Sequence, residues 1–163
     1  VTLHSSNYPT ERFVSLHGFF AFEYPANWSL EADEAGQYVF FNPSGGSGVL
    51  RVMLLPNEFE GVDAEKNMLN EVYQQNIDCE PSLYAAGTNR FVHFAKMHDV
   101  QGTLFSVYYW ASAQVSNVIL FTYTIQSAMK NMPVSEFEKS QIETLITTFK
   151  WLHKSAAHGD LHE

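Results

Sequence analysis

A chain of 163 residues with 45% hydrophobic and 15% aromatic side chains is long enough for one domain with a sizeable core, and too apolar for a disordered segment. Nine basic residues against eighteen acidic ones give a formal net charge of −9, which argues against a nucleic-acid binder and against an anionic membrane surface. No apolar run approaches the ~18 residues of a membrane span, and Cys79, the single cysteine, allows neither an internal disulfide nor a thiolate metal cluster.

Residues 1–12 are polar and broken at Tyr8-Pro9; they read as an N-terminal arm. Between Gly18 and Pro25 the apolar residues Phe20, Phe22 and Tyr24 share one parity, as on one face of a strand. Pro25 lacks an N–H and ends that strand. Trp28, three residues further, reads as a plug folded back over the sheet end. Residues 29–36 read as a solvated acidic turn, and 37–41 as a second strand of β-prone residues.

Asn42-Pro43-Ser44-Gly45-Gly46-Ser47-Gly48 is a loop by composition. It lacks the spacing and the lysine of a phosphate loop, and Val49 stands where a nucleophile elbow needs glycine, so it reads as a hairpin connection. A third strand runs over 49–55 to Pro56. Asp63 is placed to cap a helix reaching Ile77, with Met68, Leu69, Val72, Tyr73 and Ile77 as its apolar stripe. Residues 78–87 read as irregular.

Strands over 88–97, 103–113 and 117–125, joined by short connections, form an antiparallel meander. Ser135 with Glu138 three residues on reads as a capping box opening the last helix. Its stripe is Phe137, Ile142, Leu145, Ile146, Phe149 and Leu152. Residues 153–163, with three histidines among small and charged residues, read as a flexible tail. The order βββαβββα predicts an α+β fold: one domain over 13–152, with a central antiparallel sheet of about six strands sandwiched by helices.

The pattern Phe20-x-Phe22-x-Tyr24-Pro25-x-x-Trp28 resembles the opening of PsbP-like domains, and Ile142-x-x-Leu145-Ile146-x-x-Phe149 resembles their final helix. The resemblance covers roughly residues 13–152. It implies a sheet sandwiched between helices, shared with an extrinsic photosystem subunit, a Ran-binding import factor and bacterial domains of unknown or adaptor-like role. Members are mostly binding modules rather than enzymes, and no functional residue carries over.

Chemistry has little to build on. His93 and His98, five apart on one strand, point to opposite faces. His158, His162 and Glu163 fall in the tail, without helical periodicity. Cys79 lies between Asp78 and Glu80, whose charges disfavour a thiolate. No catalytic spacing stands out, so no catalytic residue, metal or cofactor is expected. One cysteine fits a reducing compartment and slightly favours the cytoplasm, while a chain starting at Val1 also fits an exported mature product.

The sheet faces offer more. Tyr108 and Trp110 share parity with Ser106 and Ser112, an unusual company for a core tryptophan. Aligned with Arg51, Arg90, Lys96, Thr122 and Thr124, they form a half-polar aromatic face rich in hot-spot residue types. The expected function is a non-catalytic protein-binding or adaptor module using Arg51, Arg90, Lys96, Tyr108 and Trp110. A carrier holding an apolar or anionic compound between sheet and helix, and an enzyme without a recognisable motif, stand as alternatives.

Overall fold

A computed structural model describes residues 8–33 and 36–152. Along them run β1 (Thr10–Val14), β2 (Phe20–Pro25), β3 (Ser29–Ala32), β4 (Tyr38–Phe41), β5 (Gly48–Pro56) and α1 (Ala64–Gln75). Then follow β6 (Ser82–Ala86), β7 (Asn89–Val100), β8 (Thr103–Ala113), β9 (Asn117–Gln126), α2 (Pro133–Thr147) and β10 (Lys150–Trp151). The α+β class and the antiparallel meander β7-β8-β9 are as the sequence predicts.

The large sheet, expected to hold about six strands, has seven, in the order β3-β4-β5-β9-β8-β7-β6. A second sheet, β1-β2-β10, was not expected. β2, placed by sequence in the central sheet, is the middle strand of this small one. Its parity is as read: Phe20, Phe22 and Tyr24 are buried, with Trp28 beyond the Pro25 corner. The chain turns there, Trp28 N–H bonding the Pro25 carbonyl at 3.0 Å, and pairs β3 with β4 rather than with β2.

Three further stretches differ from the sequence reading. An additional strand, β1, begins at Thr10, inside the segment taken as an arm, and buries Phe13 against β2. Residues 29–32 of the acidic turn are strand β3, and residues 82–86 of the irregular segment are strand β6. Residues 1–7 and the tail from 153 onward lie outside the described residues.

The core lies between the two sheets and α2. The ring of Phe22 stands 5.4 Å from Phe40 and 5.7 Å from Phe121, and Phe121 stands 5.7 Å from Phe149, just past α2. Small sheet, large sheet and helix end therefore share one aromatic cluster. On the other face α1 sets Leu69, Met68, Val72 and Tyr73 against Val92 and Phe94 of β7 and Ala113 of β8. α1 covers only the β7–β8 side of that face. Among the described residues the β4-β5-β9 side of that face carries no helix, Val118 at the start of β9 excepted, which joins the α1 cluster.

Candidate functional site

The register separates the five expected site residues. Trp110 lies opposite His93 and Phe121, and Tyr108 opposite Ala95 and Tyr123. Both point into the main core; Trp110 is 1% exposed. Arg51 lies opposite Thr122, which lies opposite Tyr109, so Arg51 is on the other face. Lys96 and Arg90 share that α1-side face with Phe94. The alignment that mixed the two sets is one residue out of register in β8, and a one-residue slip exchanges every side chain between faces.

The serines beside Trp110 misled for a definable reason. Ser112 Oγ donates to the Arg90 carbonyl at 2.7 Å, and Ser106 Oγ lies 2.9 Å from Ser127 Oγ. A buried hydroxyl with a partner costs little, so serines can flank a core tryptophan. His93 stacks on Trp110 with centroids 4.6 Å apart, its Nδ1 2.8 Å from the Tyr109 carbonyl. Burial holds the His93 imidazole below its ordinary pKa. Lys139 sits 4.4 Å over the Tyr108 ring.

The uncovered side of the large sheet keeps part of the expected face. Arg51, Thr122 and Thr124 lie there with Val39 and Phe41, all half-buried; Tyr109, opposite Thr122 on β8, stands at the boundary and packs on the α1 cluster. Among the described residues Arg51 forms no ion pair. Lys96 Nζ lies 5.6 Å from the centre of the Phe94 ring. Tyr109 supplies the aromatic ring that Tyr108 was expected to give; it stacks on Phe94 at 4.7 Å and its hydroxyl lies 3.1 Å from His98 Nε2. At one end of this surface Phe41, Gly48, Arg51, Phe105 and Gln126 line a groove of about 380 Å³.

One cluster escaped the sequence reading. Glu138 is 4% exposed. Its carboxylate accepts the Gly48 N–H and the Tyr123 hydroxyl, each at 2.8 Å, and the Ser47 N–H at 3.3 Å. Ser135 Oγ donates to Ser47 Oγ at 2.9 Å. Neither residue caps the helix, which opens at Pro133 after Met132, so the expected capping box is absent; nor does the Asp63 side chain cap α1. Burial, and then the Glu138 charge, push the Tyr123 phenol far above its ordinary pKa, so it stays a donor.

The glycines of the loop follow from this clamp. A Cβ on Gly48 would stand 2.7 Å from the Thr124 carbonyl oxygen and inside the Tyr123 ring contact; one on Gly46 would stand 2.7 Å from the Asn42 carbonyl oxygen. The loop is the hairpin between β4 and β5, fastened to α2. The signal in the sequence was a glutamate on an apolar helix face three residues after a serine, which capping chemistry explains equally well.

Among the described residues no three His, Cys, Asp or Glu side chains converge on a point, and no helix is long and apolar enough to cross a membrane. His158, His162 and Glu163 lie outside the described residues.

Among the described residues two sheets and two helices, with one sheet face half open, define an α+β sandwich. The chain belongs to the family DUF3805, a domain of unknown function, whose model matches residues 8–149. A solved structure from Bacteroides thetaiotaomicron VPI-5482 aligns at TM-score 0.69 and 21% identity over 90% of this chain; the chain spans half the length of that protein. LpqN of Mycobacterium tuberculosis, involved in cell envelope biogenesis, gives 0.59 and 10% identity, over 88% of this chain and 86% of LpqN. A mutant of the protein Mog1 gives 0.54 and 9%, over 90% of this chain and 98% of Mog1. At these identities the likeness shows the fold alone. Comparison with curated proteins finds no match.

Proposed function

We propose that this domain is a non-catalytic protein-binding module that docks its partner on the uncovered β4-β5-β9 side of the large sheet. One observation carries the reading. Arg51 stands half-buried among Val39, Phe41 and Thr122, without an ion pair among the described residues, in a chain of net charge −9. A partly desolvated guanidinium in an apolar surround is a strong site for an incoming carboxylate. Two supports come from elsewhere. The space between large sheet and α2 is filled by Trp110, Phe121 and Phe149, which favours surface docking over a carrier's enclosed cavity. The PsbP-like resemblance implies binding modules, an argument from fold analogy.

The test is capture from the source cell's extract with wild-type protein and with Arg51→Glu, read by mass spectrometry and followed by affinity measurement. The substitution is expected to weaken the captured partner by about 2 kcal/mol, roughly 30-fold, with the melting temperature unchanged. Undiminished capture overturns the docking surface. A stoichiometric small molecule in native mass spectra of the purified protein establishes the carrier instead.

A further inference from the structure

A strand at a sheet edge presents unpaired N–H and C=O groups, and proteins guard such edges with charge, brevity or cover. Four strands here stand at an edge. β1 carries Glu11 and Arg12, β3 carries Glu31 with Asp33 following, and β10 has two residues. β6 is different. Glu80 and Pro81 stand just before it, but the strand itself reads Ser82-Leu83-Tyr84-Ala85-Ala86, with no charge and no proline, and among the described residues it pairs with β7 alone.

Beside that edge a groove of about 500 Å³ runs between α1 and β6, lined by Val62, Leu69, Tyr73, Leu83 and Arg90 among others. Its apolar residues reach into solvent: Val62 is 92% and Leu83 65% exposed. Arg90 is exposed and, like Lys66 on the same groove, forms no ion pair among the described residues; Glu65 is the one acid lining it.

We propose that β6 accepts an extended segment of another protein, which joins the large sheet as an eighth strand. Its alternate side chains are apolar and enter the α1–β6 groove beside Leu83, and a carboxylate on the same face reaches Arg90. The register supports this chemistry. Arg90 lies opposite Ala85. A residue of the incoming strand opposite Ala85 is therefore two strands from Arg90 in one row, about 10 Å between Cα atoms. An arginine and a glutamate side chain together close that gap. A second copy of this chain suits the edge less well. Antiparallel self-pairing centred on Tyr84 sets Leu83 against Ala85 and Ser82 against Ala86, which leaves Arg90 without a carboxylate. This edge lies at the opposite side of the sheet from Arg51, so the module has two docking surfaces and can bridge two partners.

The experiment selects a phage-displayed library of random linear peptides of about twelve residues on the full chain. Enriched peptides are then measured against wild type, Leu83→Lys, Arg90→Glu and the control Arg51→Glu. Expected are peptides with alternate apolar residues and an acidic position, which slow amide hydrogen exchange over Ser82–Ala86. Leu83→Lys and Arg90→Glu should each weaken them about tenfold with unchanged melting temperature, Arg51→Glu should not, and Arg90→Glu should prefer the same peptides carrying lysine at the acidic position. The proposal is overturned by a selection that enriches nothing, by exchange protection elsewhere, by binding indifferent to Arg90→Glu, or by a homodimer that Leu83→Lys splits.

Discussion

Trp110 shows how one residue changes meaning between sequence and structure. Its ring is enclosed between His93 and Phe121, and the serines on either side have their own hydrogen-bond partners. Truncation to alanine leaves a cavity, so Trp110→Ala should lose about 3–5 kcal/mol in urea unfolding while any partner affinity of the folded fraction is retained. Weakened binding at unchanged stability would return Trp110 to an interface. Glu138 carries a second prediction. In Glu138→Leu the N–H groups of Ser47 and Gly48 lose their acceptor, and the Tyr123 hydroxyl keeps only the long contact to Ser47 Oγ at 3.4 Å. Each unsatisfied buried group costs about 1–3 kcal/mol, so the variant should lose about 3 kcal/mol or more, and Tyr123→Phe, with one bond removed, distinctly less. Equal, small losses from both would show that the hairpin finds other partners.

At the scale of elements, β1 is the sharpest case. The Phe13 ring lies 5.0 Å from Phe22 and 4.7 Å from Tyr38, so it joins the small sheet to the large one. Phe13→Ala should therefore cost about 3 kcal/mol, measured by thermal or urea unfolding; a neutral result would restore the reading of residues 10–12 as an arm. Periodicity made the long elements legible. β7, β8 and β9 are runs of ten residues or more rich in aromatic and apolar types and bounded by short connections, and α1 repeats its apolar positions at helical spacing. The short strands were not legible. Ser29–Ala32 is four residues with one acid, and Ser82–Ala86 holds one leucine and one tyrosine among small residues; nothing in five residues separates an edge strand from a loop. Face composition failed for the same reason of scale: parity within a strand was readable, whereas the pairing of parities across strands depends on register, which hairpin length alone leaves open. Arg51, Thr122 and Thr124 were grouped correctly, and Tyr109 rather than Tyr108 completes the group.

Across the whole molecule, cover is uneven. One face of the large sheet meets α2 and the small sheet along its length, and the other meets α1 on one side only. An antiparallel sheet tolerates a wet face, so the open half is compatible with a stable fold. The residues after α2 are part of that stability. Phe149 is buried within 6 Å of Phe20, Phe91 and Phe121, and Trp151 packs on it at 5.1 Å. A chain truncated after Thr148 should lose its cooperative unfolding transition in calorimetry; a sharp transition near the full-length temperature would mean that the two sheets hold together without this segment.

The small sheet also sets an order of events. β2 is flanked by β1, a few residues before it, and by β10, where Lys150 pairs with Ala21 and Trp151 with Phe20. Nearly the whole described chain is closed as a loop between those partners. The pairing of β2 with β1 is local and can form early, but its second neighbour, β10, leaves the ribosome only after every other described strand. Until then Phe20 and Phe22 lack the Phe149 ring and the helix that cover them, and a long-range contact of this kind slows folding. A nascent chain thus carries an apolar, half-paired strand until β10 emerges, and the period of greatest risk of misassembly for this domain ends only then.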